Sequence, residues 1–174
     1  MPAKEYNFVH RHLIDPAPRW RDLRHPRAAV FLDRDGVVNE EVHYLSKVED
    51  LALIPGTAAA IKRLNNAGVT VIVVTNQSAV ARGYLSEDGL RDLHEAMIKM
   101  LADDGASVQG IYYSPYHPEG TGDYRRESMC RKPGPAMIFA ASRSGGGNPC
   151  GDGAYRSWRK GNHLGRGRRS RFYC

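Results

Sequence analysis

Three short apolar runs alternate with segments of helical length between residues 28 and 142. The runs are Ala29–Leu32, Val69–Val74 and Val108–Tyr113, and the second is β-branched almost throughout. Such runs are typical of strands buried on both faces of a sheet. Because helical segments separate the strands, the pattern predicts parallel β/α units.

The intervening segments carry the periodicity and the boundaries of amphipathic helices. One segment follows Pro55-Gly56-Thr57 and ends near Gly68, and another begins at Pro135. A longer helix is predicted after Ser86-Glu87-Asp88, which supplies an N-cap and an acidic first turn. Its apolar positions recur at helical spacing: Leu90, Leu93, Met97, Met100 and Leu101.

The chain of 174 residues is long enough for one domain with a single core. No apolar run approaches the ~20 residues of a membrane span, and the first 30 residues lack a signal-peptide core. Three cysteines do not make a disulfide framework. We therefore expect a cytoplasmic protein without a membrane partner, and we expect it to be a monomer.

Charge divides the chain into unlike parts. Residues 1–142 hold 17 Lys and Arg against 18 Asp and Glu, whereas residues 143–174 hold 8 against 1 and contain 8 of the 18 glycines. The predicted organisation is therefore an N-terminal arm over 1–27, an α/β domain over 28–142, and a poorly ordered basic Gly/Arg-rich tail over 143–174.

The segment FLDRDGVVN, Phe31–Asn39, ends an apolar run with two aspartates separated by one residue and followed by glycine. Ligands of open α/β sheets bind at the carboxyl ends of the strands, where Asp33 and Asp35 would lie. One aspartate can attack phosphorus while the other exchanges protons, and carboxylate oxygens suit magnesium. A surface turn with two solvated acids is the alternative interpretation.

Two further segments offer groups that could bind phosphate. Thr75 and Asn76 follow the second run and supply a hydroxyl and an amide, and Arg82 adds positive charge nearby. Arg131 and Lys132 precede the start of a helix, which is a favourable place for a phosphate dianion. Each segment alone is also compatible with an ordinary polar turn.

Four ordered blocks, FLDRDGVVNEEVHYL, VVTNQSAVARGY, GIYYSPYHPEG and CRKPGPAMIFAA, resemble the haloacid dehalogenase superfamily of aspartate phosphatases. Within it they are most similar to the branch of histidinol phosphatases and D-glycero-D-manno-heptose 1,7-bisphosphate phosphatases. The resemblance implies a Rossmann-like, three-layer α/β fold with a parallel sheet. It also implies that Asp33 is the nucleophile and Asp35 the general acid and base. Phosphate or substrate ligands would be Thr75, Asn76, Arg82, Arg131 and Lys132.

The resemblance implies magnesium, held by Asp33, by the main-chain carbonyl of Asp35 and by a later aspartate. Many members of the branch also bind zinc through Cys-x-His and Cys-x-Cys pairs. The corresponding positions here are Ser114, Tyr116, Ser128 and Cys130. Since one thiolate cannot make a structural zinc site, we expect no zinc. His117 should cap the loop over 114–129, which should cover the site and help to select the substrate.

A second departure concerns the end of the sheet. In the family a fourth strand ends in Gly-Asp, but no apolar run precedes Gly151-Asp152 in this sequence. The sheet is therefore predicted to be incomplete at its C-terminal strands, with Asp152 a weak substitute as metal ligand. We interpret the tail as the altered end of a phosphatase, such as the product of a reading-frame change. A nucleic-acid-binding tail, with Arg166–Arg169 near aromatic residues, is the less favoured alternative.

The function implied is a magnesium-dependent hydrolase of carbohydrate metabolism that cleaves a sugar phosphate through an aspartyl-phosphate. The substrate that the resemblance favours is D-glycero-D-manno-heptose 1,7-bisphosphate, from which the 7-phosphate would be removed. Histidinol-phosphate hydrolysis is the alternative enzyme activity. A catalytically impaired remnant that still binds phosphate is the alternative of another class.

Overall fold

The computed structural model describes residues 28–142. The arm over 1–27, the tail over 143–174 and Asp152 lie outside the described residues. The described elements are β1 (Ala29–Leu32), α1 (Thr57–Asn66), β2 (Thr70–Asn76), α2 (Ser78–Ala81), α3 (Glu87–Asp103), β3 (Gly110–Ser114) and α4 (Ala136–Ser142), with single 3₁₀ turns at Val48–Asp50 and Gly122–Tyr124. No helix in this part of the chain has both the length and the apolarity needed to cross a bilayer.

The three strands form a parallel sheet in the order β1-β2-β3. The register pairs Phe31 with Ile72, and Ile72 in turn with Gly110. Within the described residues β1 is therefore an edge strand. All three strands end at the same side of the sheet, which brings the polar residues after β1, β2 and β3 into one region.

Alternate residues of β2 face two separate apolar layers, as expected for a strand buried on both faces. Val71 and Val73 pack with α1 and α3 in the larger core, whereas Ile72 and Val74 pack with α4 in the smaller one. Helices thus cover both faces of the sheet. The predicted three-layer α/β architecture is confirmed for residues 28–142.

The predicted capping of α3 is also confirmed. The Ser86 hydroxyl accepts a hydrogen bond from Gly89 N at 3.0 Å, and Glu87 and Asp88 occupy the first turn. The buried face contains Leu90, Leu93, Met97 and Leu101, as the periodicity predicts, and also His94. His94, buried within this apolar face, lies 3.3 Å from the side chain of Arg34, which follows β1.

The bounds of β2 and β3 differ from the sequence expectation. β2 continues two residues past Val74 because Thr75 and Asn76 pair with β3, and β3 begins at Gly110 rather than at Val108. The short helix α2 follows β2 after one residue. With four residues it is too short to show a helical pattern of apolar residues in the sequence. These differences matter because they fix Thr75 and Asn76 in the sheet rather than in a loop.

Candidate active site

Asp33 lies immediately after β1 and faces Lys132 from the segment before α4. The Lys132 ammonium contacts Asp33 Oδ2, and Asp33 Oδ1 accepts a hydrogen bond from Arg34 N at 2.8 Å. The side chain of Asp33 is 41% exposed and that of Lys132 is 29% exposed. The predicted nucleophile and the predicted charge anchor therefore form a solvent-accessible ion pair, although 99 residues separate them.

Lys132 is held at this position by β2. Its ammonium also donates to the Val74 carbonyl oxygen at 3.0 Å. Its main-chain N–H donates to Asn76 Oδ1 at 2.9 Å, and its carbonyl oxygen accepts from Asn76 Nδ2 at 3.1 Å. The Asn76 amide, predicted as a phosphate ligand, therefore bonds the backbone of Lys132 through both of its polar atoms.

Thr75 is the second predicted ligand at the end of β2, and its side chain is 1% exposed. Its hydroxyl oxygen accepts from Gln77 Nε2 at 2.9 Å, and the same Gln77 nitrogen donates to Asp35 Oδ2 at 2.8 Å. An accepted bond leaves the Thr75 hydroxyl proton as a donor. Gln77 therefore links the predicted phosphate-binding residue to the predicted general acid and base.

Asp35 is surrounded by donors that the sequence analysis did not single out. The Arg34 guanidinium donates hydrogen bonds to both carboxylate oxygens of Asp35, and Asn39 Nδ2 donates to Oδ1 at 3.1 Å. The turn that makes this possible passes through Gly36, whose φ of +73° suits glycine. Gly36 N donates to the Asn39 carbonyl oxygen at 2.8 Å and closes the turn. The predicted tight turn after the aspartates is confirmed.

Arg34, Asn39, Gln77 and His94 were missed as site residues. For Arg34 and Asn39 the only sequence signal was their position inside FLDRDGVVN, and for Gln77 its place after Thr75-Asn76. His94 could have been found as a polar residue in the apolar stripe of α3. That His94 meets Arg34, however, depends on the packing of α3 and could not be predicted from the local sequence.

The predicted ligands Arg82 and Arg131 contact the loop over 114–129. Arg82 pairs with Glu119 at 3.0 Å and lies 5.9 Å from the centre of the Tyr44 ring. This hydrogen bond to Glu119 raises the pKa of Arg82 above its ordinary value. Arg131 donates from Nη1 to the Tyr116 carbonyl oxygen at 3.4 Å. Their roles toward phosphate stay predictions.

Side-chain stacking and hydrogen bonds hold the loop. The Arg126 guanidinium lies 3.9 Å from the centre of the Tyr116 ring, and the Thr121 hydroxyl donates to the Ala81 carbonyl oxygen at 3.1 Å. His117 Nδ1 accepts from Glu119 N at 3.1 Å, so His117 caps the loop as predicted. Partial burial, with help from Arg131, lowers the pKa of His117. Neutral His117 is the form that can accept this bond.

The four positions compared with a zinc site carry side chains of different kinds. Ser114 and Cys130 are buried, and Tyr116 is stacked on Arg126. Within residues 28–142 no three His, Cys, Asp or Glu side chains are grouped so as to hold a metal ion. For magnesium, the described residues offer the Asp33 carboxylate and the Asp35 carbonyl, which are oxygen donors of the kind that this ion prefers.

Three curated relatives with similar sequences are each named D-glycero-β-D-manno-heptose-1,7-bisphosphate 7-phosphatase. The Rhodopseudomonas palustris protein is 49% identical over 68% of this chain and 66% of its own length. The Pasteurella multocida protein is 44% identical over 66% and 62%, and the Escherichia coli protein is 40% identical over 65% and 60%. The chain thus spans slightly less than two thirds of the curated relatives that it matches.

Solved structures agree. A haloacid-dehalogenase-like phosphatase from Mesorhizobium loti is 35% identical with a TM-score of 0.66, over 69% of this chain and 57% of its own. The D,D-heptose 1,7-bisphosphate phosphatase from B. bronchiseptica, complexed with magnesium and phosphate, is 35% identical with a TM-score of 0.61, over 67% and 63%. No protein-family model matches the chain. On these sequence and structural similarities, the chain belongs to the haloacid dehalogenase superfamily, in the branch of the heptose-bisphosphate phosphatases.

Proposed function

We propose that this protein is a phosphomonoester hydrolase that removes the 7-phosphate of D-glycero-D-manno-heptose 1,7-bisphosphate. The observation that carries the proposal is the contact between Lys132 and Asp33, with Asp35 and Thr75 joined through Gln77 beside them. A carboxylate nucleophile, a fixed cation and a second carboxylate are the groups that phosphoryl transfer to aspartate requires. The names of the relatives support the choice of sugar.

The first step forms a bond between an Asp33 carboxylate oxygen and phosphorus and breaks the bond between phosphorus and the sugar oxygen. Asp35 gives a proton to that leaving oxygen, which departs as an alcohol. In the second step Asp35 removes a proton from water, which attacks the aspartyl-phosphate and releases inorganic phosphate with the Asp33 carboxylate restored. One residue thus acts as acid and then as base.

Lys132 opposes the negative charge that Asp33 and a phosphate dianion bring together. Asn76 fixes the Lys132 backbone, so the ammonium keeps its place while charge shifts on the phosphate. Magnesium, held by the Asp33 carboxylate and the Asp35 carbonyl, would neutralise further phosphate charge when bound. The complex of the B. bronchiseptica phosphatase with magnesium and phosphate supports this choice of ion.

Phosphate release by the full chain, with and without magnesium, tests the proposal on three substrates side by side. These are heptose 1,7-bisphosphate, histidinol phosphate and an aryl phosphate such as p-nitrophenyl phosphate. We expect the highest kcat/KM on the heptose ester. The Asp33→Asn variant should release no phosphate above background from any of the three substrates. Preference for histidinol phosphate would support the alternative enzyme. Phosphate binding without turnover on any ester would identify a catalytically impaired remnant.

A further inference from the structure

Arg34, which separates Asp33 and Asp35 in the sequence, is a buried cation with 2% of its side chain exposed. Its Nε donates to Asp35 Oδ1 at 3.0 Å, and one terminal nitrogen donates to Oδ1 at 2.8 Å and to Oδ2 at 3.1 Å. Two-pronged contact with a carboxylate fixes orientation as well as distance. The Arg34 guanidinium therefore defines the plane in which the Asp35 carboxylate lies.

The other terminal nitrogen of Arg34 meets His94 Nε2 at 3.3 Å. An arginine side chain only donates hydrogen bonds, so His94 Nε2 must accept, and the His94 proton resides on Nδ1. His94 is 0% exposed on α3, and its ring centre lies 5.8 Å from that of Tyr113 on β3. The packed helix thus holds the guanidinium from the side opposite Asp35.

The donors are shared unequally between the two carboxylate oxygens. Asp35 Oδ1 takes three contacts, two from Arg34 and one from Asn39. Oδ2 takes one from Arg34 and one from Gln77, whose amide also bonds Thr75. Oδ2 therefore has one donor fewer than Oδ1, and it is the oxygen that Gln77 connects to the predicted phosphate-binding residue Thr75.

We propose that Arg34 and His94 are positioning residues that act through Asp35. His94 Nε2 fixes the guanidinium, the guanidinium fixes the carboxylate plane, and Oδ2 is the oxygen that exchanges the proton with the leaving group and with water. This inference rests on the proposed phosphatase function, because it assigns the geometry of that function's acid and base. Neither residue touches the substrate in this scheme.

Two substitutions of His94 separate positioning from packing. His94→Leu removes the acceptor for Arg34, whereas His94→Gln keeps an acceptor oxygen on a side chain of similar reach. On the heptose ester we expect His94→Leu to lower kcat by about 100-fold with little change in KM, since misplacing a catalytic group costs rate and not binding. His94→Gln should recover most of the loss. Arg34→Met should behave like His94→Leu.

An aryl phosphate gives a readout that a general structural defect would not. A nitrophenolate leaves without a proton, so phosphorylation of Asp33 needs no acid from Asp35. The His94→Leu chain should therefore release a burst of one nitrophenolate per site and then turn over slowly, because water activation still needs Asp35. Loss of the burst at an unchanged melting temperature would overturn the positioning role.

An independent measurement is the ¹⁵N NMR spectrum of the His94 ring in the native full chain. We expect the neutral form with the proton on Nδ1, and a proton on Nε2 would overturn the inference even if His94→Leu does not fold. A native chain that turns over no ester overturns the proposed function. A native chain that is active and is matched by His94→Leu overturns the positioning role alone.

Discussion

Asn76 and Lys132 exchange two hydrogen bonds between the end of β2 and the segment before α4. Asn76 Oδ1 accepts from Lys132 N at 2.9 Å, and Asn76 Nδ2 donates to Lys132 O at 3.1 Å. The pair joins the two chain segments that carry the phosphate-binding candidates. Asn76 thus fixes the segment that carries the Lys132 ammonium beside Asp33, in addition to any contact that it makes with phosphate.

Replacing Asn76 with Ala should lower kcat on a phosphate ester by about 100-fold, because Lys132 loses its fixed position. The chain should also lose about 1–3 kcal/mol of stability from the two broken hydrogen bonds. Enzyme kinetics and urea unfolding measure the two effects. Asn65→Ala is the matched control, since Asn65 makes the same reciprocal pair with the Ser107 backbone at 2.9 and 3.0 Å. Equal activity of the two variants would contradict the assignment.

Asp33→Asn should abolish turnover while the fold is retained, because an amide of the same shape does not attack phosphorus. Beryllofluoride, which mimics a phosphoryl group on aspartate, should bind the native chain and not the variant. The exposed Asp88, which pairs with Arg91 at 2.7 Å, provides the control substitution Asp88→Asn. Comparable turnover in Asp33→Asn and the native chain would remove Asp33 as nucleophile.

Gly134→Ala should disrupt the turn that presents Lys132. A Cβ at this position would lie 2.6 Å from the Arg131 carbonyl oxygen and would also collide with that of Met129. Backbone oxygens in a turn cannot move aside as a flexible side chain does, so we expect about 1–3 kcal/mol of destabilisation and a loss of activity. Gly89→Ala, where a Cβ meets only side-chain atoms, should be tolerated within α3. Thermal melts of both variants check the contrast.

Stability should fall as the pH rises from about 10 toward about 12. Burial, reinforced by Glu87, raises the pKa of Tyr124 to about 12 and also raises that of Tyr113. A tyrosine whose pKa is raised on folding contributes stability that is fully present below its pKa in the unfolded chain, near 10. That stability is lost as the pH rises through the pKa in the folded state. Urea unfolding between pH 8 and 12 measures this slope.

Tyr124→Phe removes the hydrogen bond to Glu87 Oε1 at 3.0 Å. The variant should be less stable at pH 8 by about 0.5–1.5 kcal/mol and should decline less steeply above pH 10. The exposed Tyr84 provides the comparison Tyr84→Phe, which should keep the native slope. A Tyr124→Phe slope equal to the native one would remove Tyr124 from this account.

Metal analysis of the purified full chain should find no stoichiometric zinc. Among the four compared positions only Cys130 supplies a thiolate, and Tyr116 is stacked on Arg126. A chelator selective for zinc over magnesium should accordingly leave the melting temperature unchanged, since stacking and hydrogen bonds hold the loop. One zinc per chain would show that the interpretation of Ser114, Tyr116 and Ser128 is wrong.

The sequence by itself determined the layers of the fold and the place of the reacting groups. Short β-branched runs and 3.6-residue periodicity are local properties, and they predicted the sheet, the helices and the cap at Ser86. Because parallel strands end at one side of their sheet, the same pattern predicted that Asp33, Asp35 and Thr75 lie near one another. The resemblance then supplied the chemistry.

Tertiary structure alone decided which side chains hold those groups. His94 meets Arg34 across 60 residues of sequence, and Asn76 meets Lys132 across 56. Such pairs depend on strand register and on the rotation of α3 against the sheet, and no local pattern encodes them. A buried polar group must find a partner, but sequence does not say which one. The packed fold made the choice by bringing Arg34 between His94 and Asp35.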